Sequence, residues 1–211
     1  MMKANIQAFE RLDLDYIIVN SAGCGATLKE YPHFFKDDPG WHERAKHFSS
    51  LVRDVSEFLS EVGMSGPNRA VPVRVTYQDP CHLAHAQKVY RQPRELLASI
   101  PGVELVEMQE SKLCCGSAGI YNITHPEMAS RLLERKIEDI PDEVELVTMG
   151  NPGCMLQIAL GVHKHHRKEK VVHTIQVLDM AYQLEEESTV EKTGNSADGD
   201  GLSVSQTGEG A

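Results

Sequence analysis

The sequence predicts an α/β domain with a mainly parallel sheet flanked by helices. Short apolar runs bounded by turn residues alternate with longer stretches of helical period. Cys24, Cys81 and Cys154 each fall just beyond a predicted strand, and Cys114 and Cys115 follow one more loosely. In open α/β sheets that edge is where ligands bind.

The elements follow in order. Residues 2–14 read as an amphipathic helix with Ile6, Phe9 and Leu12 on one face. The run 15–20 (DYIIVN) reads as a buried strand, with the Cys24 loop and a short helix over 26–31 after it. The spacing of Ala45, Phe48, Leu51, Val52, Val55, Phe58, Leu59 and Val62 predicts one helix over 41–62, ended by the turn-rich 63–68. Strands are expected at 71–77, 103–108, 144–149 and 171–173, with Cys81 just after the first of these. Helices are expected over 82–89, after Pro93, to about Ile140 from a Thr124–Glu127 capping box, and over 175–184. Beyond 184 the chain is Ser, Thr, Gly and acid, and a disordered tail over 185–211 is expected.

Composition narrows the function. The chain has 211 residues, 41% of them hydrophobic, which suits a globular domain with a real core. Its net charge of −10 is uneven, since residues 185–211 hold seven acids against Lys192 and leave only −4 for the body. That gives no support for nucleic-acid binding. No run approaches the roughly 18–20 apolar residues of a membrane span. The N-terminus lacks a signal-peptide block, so a cytoplasmic protein is expected, with peripheral association at the inner membrane face left open.

Five cysteines is an odd number, and in a reducing compartment metal binding or redox chemistry explains them better than a disulfide framework. Cys114-Cys115-Gly116 has 32 residues between it and Cys81 upstream, and 38 residues lie between Cys115 and Cys154, a pattern suited to one site assembled from three loops. Neighbouring cysteines do not easily aim at one metal atom, but they can reach two irons of one cluster. Gly116 and Gly119 leave room for backbone N–H groups to approach sulfur. A mononuclear zinc site would show a close C-x2-C pair, which is absent. A buried thiol pair or vicinal disulfide at Cys114 and Cys115 remains the alternative.

Four stretches carry a resemblance: SAGCGATLKEY (21–31), DPCHLAHAQK (79–88), LCCGSAGIYNITHP (113–126) and NPGC (151–154). With them the chain resembles, over about 3–184, the C-terminal cysteine-rich (CCG-type) region of the glycolate oxidase iron–sulfur subunit. It is more distantly similar to the CCG-bearing subunit of heterodisulfide reductase. The resemblance implies a 4Fe-4S cluster on Cys81, Cys114, Cys115 and Cys154, with His85 in supporting contact. It also implies an oxidoreductase subunit passing electrons from a flavin-binding oxidase subunit, which carries the FAD, to an acceptor. Family members have two such modules and a ferredoxin-like N-terminal part. Here residues 1–66 would be the last strand, cysteine loop and helix of a first module, with Cys24 as its remaining ligand. Residues 67–184 would be a complete second module. The pattern's fifth cysteine is replaced by Gln157, and by Thr27 in the first module. The chain shows no base, hydride acceptor or nucleotide loop of its own, so activity alone is not expected. A thiol–disulfide protein using Cys114 and Cys115, and a cofactor-free assembly module, stay open as rivals.

Several residues also have plain structural readings. Cys24 reads as a quiet thiol unless another chain completes its site. His82 and His85 read as helix-surface or capping histidines, or as groups that bond a sulfur or relay a proton. His125 reads as part of the capping box, Lys29-Glu30-Tyr31 as a salt-bridged helix start, 163–168 (HKHHRK) as a solvated basic loop, and Trp41 as a packing residue.

Overall fold

The computed structural model describes residues 1–64 and 66–194. Two parallel sheets form the frame. The smaller pairs β1 (Ile17–Val19) with β2 (Val52–Asp54). The larger has the order β4-β3-β5-β6, from β3 (Val73–Tyr77), β4 (Val103–Leu105), β5 (Leu146–Met149) and β6 (Lys170–His173). Every pairing is parallel. The expected α/β class is what the chain adopts.

Helices cover both faces of the larger sheet. On one side α8 (Pro126–Glu138) and α9 (Pro152–Lys164) pack Leu133, Ile137, Ile158 and Val162 against Val147 and Met149. On the other side α6 (Gln92–Ala98) and α10 (Thr174–Gly194) bring Leu97, Val177, Leu178 and Ala181 onto Val75 and Tyr77. Double cover explains why β5 is buried at all four positions, Thr148 included, rather than alternating between buried and exposed. α10 enters the expected tail as far as Gly194, and the rest of that tail lies outside the described residues.

Around the smaller sheet run α1 (Met2–Phe9), α2 (Ala22–Lys29), α3 (Tyr31–Phe34), α4 (Pro39–Leu51) and α5 (Val55–Glu61). The single helix expected over 41–62 is therefore two helices with β2 between them. The cause is local: Asp54 is buried and caps α5, accepting from Ser56 N–H at 2.9 Å, while Asp54 N–H donates to Glu57 Oε2 at 3.1 Å. The capping box expected at Thr124 does not form. Thr124 ends the short α7 (Tyr121–Thr124) and its hydroxyl donates back to Ile120 O at 3.3 Å, so α8 starts from His125 without a side-chain cap. After Cys81 the chain makes a π-helical turn, His82–Ala86, instead of a helix to residue 89.

The two sheets repeat one unit. β1 and β5 each lead into a Gly-Cys at a helix start (Gly23-Cys24, Gly153-Cys154), and β2 and β6 end in matching caps. Where Asp54 and Glu57 cap α5, His173 N–H donates to Gln176 Oε1 at 2.7 Å and Ile175 N–H donates to His173 Nδ1 at 3.2 Å. The strand ends are stitched together, with Ala22 N–H on Gly150 O at 3.0 Å and His173 Nε2 donating to Asn20 O at 2.9 Å.

Those bonds commit His173 to the neutral form, since Nδ1 accepts and Nε2 donates. Burial lowers its pKa, against the bond to Asn20 and the charge of Asp54. A depressed histidine contributes stability above its unfolded pKa of about 6.5 and loses it as pH falls through the folded value. Thermal unfolding of the wild type should therefore decline below about pH 6.5, and His173→Asn should flatten that slope. Equal slopes from pH 8 to 5 would refute the assignment.

Candidate metal and thiol centre

In the order β4-β3-β5-β6 the chain leaves β3 toward β4 on one side and reaches β5 on the other, so the topological switch point lies between β3 and β5. A cavity of about 550 Å³ opens there, at the strands' C-terminal ends. All five cysteines line it. Cys81 comes from the loop after β3, Cys114 and Cys115 from the long loop after β4, and Cys154 and Cys24 from the first turns of α9 and α2. All five are free thiols.

Four of the thiols interact in a row, Cys81 with Cys114, Cys114 with Cys115, and Cys115 with Cys154. Bonds from its neighbours pull the Cys114 thiol down, and the bond from Cys115 does the same for Cys154, helped by Asn151. Donating to Cys114 pushes Cys81 and Cys115 up, with burial adding to both. Four thiolates together would need a positive partner.

Hydrogen-bond donors surround the sulfurs. Gly116 N–H reaches Cys114 Sγ at 3.4 Å, and Asn151 Nδ2 reaches Cys154 Sγ at 3.3 Å. Backbone N–H groups of Ser117 and His82 serve Cys115 and Cys81, and the His82 ring Nδ1 stands 3.6 Å from Cys81 Sγ. Cys154 also sits in the first turn of α9, on the positive end of a 13-residue helix. Among the described residues no three His, Cys, Asp or Glu side chains are placed to hold a single metal ion. The donor set is a row of thiols rather than a convergent mononuclear site, and its chemistry suits a thiolate-ligated cluster or thiol exchange.

The loops are held from behind. Asp79 is 1% exposed and takes both guanidinium Nη atoms of Arg94 at 2.8 Å, while Arg94 also grips Glu107 at 2.6 Å. Asp79 N–H donates to Ser111 O at 3.1 Å, tying the Cys81 loop to the segment before Cys114. That segment is pinned to α8, because Asp139 accepts from Gln109 and Glu110 N–H at 3.1 and 2.8 Å and the fully buried Lys136 donates to Glu110 O. Burial lowers the Lys136 pKa, opposed by Asp139 and Cys115.

The residues singled out from sequence separate here. His82 faces the cavity, whereas His85 is exposed and lies off it. Gln157 is buried outside the cavity, accepting from Asn122 Nδ2 at 3.1 Å, and Thr27 lines the cavity with its hydroxyl on Gly23 O at 3.1 Å. His125 stacks on Tyr121 with centroids 4.5 Å apart. Lys29 pairs with Glu57 of α5 at 2.6 Å, and Tyr31 is buried against Phe48. In the basic stretch the histidines are exposed and Arg167 turns back onto Glu169 at 2.6 Å. Trp41 carries Arg44 over its ring at 3.9 Å. Sequence reasoning missed Gln78, Arg94, Lys136 and Asn151. Only Asn151, inside the NPGC motif, carried a signal.

Comparison with known proteins gives a consistent picture. The cysteine-rich domain model CCG matches residues 1–29 and 75–159. "Probable glycolate oxidase iron-sulfur subunit" of Bacillus subtilis (strain 168) is 44% identical over 183 residues, covering 84% of this chain and 41% of that protein. "Lactate utilization protein A" of Oceanobacillus iheyensis is 31% identical over 84% of this chain and 73% of its own length. A subunit of the fumarate reductase (CoM/CoB) of Methanothermobacter marburgensis is 39% identical over 86% of this chain and 35% of its own. The chain thus spans less than half of the first and third of these relatives. No solved structure matches.

Proposed function

This chain belongs to the CCG cysteine-rich domain family, and from that premise we propose that it is an iron–sulfur electron-transfer portion of a glycolate oxidase-type 2-hydroxy-acid dehydrogenase. The observation that carries the reading is that Cys81, Cys114, Cys115 and Cys154, from three separate loops, line one cavity at the switch point of the sheet. A 4Fe-4S cluster bound there would supply one-electron transfer between the FAD of a flavin-binding oxidase subunit and a further acceptor. The four cysteines would be its ligands. Gly116, Ser117, His82 and Asn151 would donate hydrogen bonds to their sulfurs, which raises a reduction potential.

Residues 1–66 and 67–184 are read as the end of one module and the whole of the next, a division favoured by the matched β1–β2 and β5–β6 units. The partners would be the flavin-binding subunit and a ferredoxin-like part. Exposed Ile120, Ile123, Leu156 and Leu160 lie on α7, α9 and the adjoining loop, beside the cavity residues Gly119 and Cys154, and suit such a contact. No helix among the described residues is long and apolar enough to cross a membrane.

A second reading is favoured by the adjacency of Cys114 and Cys115 in one cavity wall as free thiols, which suits a heterodisulfide-reductase-like thiol–disulfide protein. Anaerobic reconstitution, iron and sulfide analysis and EPR distinguish the two. The cluster reading expects about four irons per chain and their loss in Cys115→Ser, and less than about 0.5 iron per chain would sink it. A reversible Cys114–Cys115 disulfide without iron would favour the second reading, and inert thiols without iron an assembly role.

A further inference from the structure

We infer that Cys24 is the fifth thiol of the same centre, contributed to the cavity by the β1–β2 unit. The inference rests on the cluster reading above. The family pattern carries a fifth thiol at position 157, and this chain has glutamine there. Gln157 cannot stand in, because its carbonyl is engaged by Asn122 and its side chain lies outside the cavity. Cys24 does line the cavity, and it is the exposed member of the five, at the mouth, while Cys115 and Cys154 form the buried wall.

Its placement is built rather than incidental. Asn151 bridges the two sides, accepting from Gly23 N–H at 3.0 Å and donating to Cys154 Sγ at 3.3 Å. Gln87 Nε2 holds Ala22 O at 2.9 Å, and Ala22 N–H holds Gly150 O at 3.0 Å, so the first turn of α2 is fixed to the loops of the other unit. A second observation points to an occupant. Gln78, 1% exposed, lines the cavity with its Oε1 unpartnered while its Nε2 donates to Asp79 O. A bare acceptor in a buried wall marks a space made for something besides the thiols.

The test is thiol footprinting of the full chain, with iodoacetamide and mass spectrometry, before and after anaerobic loading with ferrous iron and sulfide. Loading should slow alkylation at Cys24 about tenfold along with the other four. Cys24→Ala should release iron to a chelator about tenfold faster than wild type, with Cys24→Ser intermediate. Protection of four cysteines with Cys24 still reactive, or unchanged iron release in Cys24→Ala, overturns the inference and leaves the cluster reading standing. Protection at none of the five overturns both.

Discussion

Replacing Arg94 by methionine is expected to destabilise the protein by about 3–5 kcal/mol, because it strands a carboxylate that has left water. Asp79 is 1% exposed, and Arg94 is the partner of both its oxygens. At this chain length each kcal/mol corresponds to about 2–4 °C, so the melting temperature should fall by about 10 °C. The damage should also be local. Asp79 sits two residues before Cys81 and its N–H holds Ser111, so the loops carrying Cys81 and Cys114 loosen together. Adding Asp79→Leu should recover much of the loss, since the pair costs more to break than to replace. Thermal melts of both single variants and the double close the cycle. A loss under about 1 kcal/mol in Arg94→Met would show that Glu107 and solvent carry the arginine, and that the pair is an ordinary surface bridge.

This clamp also shows where reading from sequence stops. The strands were legible because β3 and β5 are short stretches rich in β-branched residues and closed by DPC and NPGC. The cysteine loops were legible for a related reason: thiols beside Gly and Pro at strand ends have few structural uses. Arg94 was not, because its partner lies 15 residues back and nothing local marks a guanidinium as buried. The helix expected over 41–62 failed instructively. Val52 and Val55 keep helical spacing with Phe48 and Phe58, yet Asp54 caps α5 better than it could serve inside a helix. Periodicity could not see that Val52 had a strand partner at Ile17.

The same limit hid the meeting of the two units. Cys24 reads as a remnant because its sequence neighbours supply no second ligand. What brings it to the other four is a set of long-range bonds, Gly23 to Asn151 and Ala22 to Gly150, made by backbone and one amide. Backbone bonds of that kind leave no compositional trace.

The glycine of Cys-Cys-Gly carries the second large effect. Gly116 has φ of +91°, and a Cβ there would stand 2.5 Å from Ala129 O of α8. An alanine would meet both the penalty of a left-handed backbone, about 1–2 kcal/mol, and a clash with carbonyl that a helix cannot easily move. Gly116→Ala should therefore cost about 3 kcal/mol in all. Gly119→Ala is the matched control. Its φ is +69° but nothing lies within 4 Å, so only the backbone penalty of about 1 kcal/mol is expected. The two should differ at the sulfurs as well. Relief of the clash must move residue 116 away from α8, and its N–H is the donor to Cys114 Sγ. Iron retention after reconstitution should then drop in Gly116→Ala and hold in Gly119→Ala. Equal retention in both would mean the glycine serves the packing of α8 alone, and that the sulfur bond follows from the turn rather than supporting the centre.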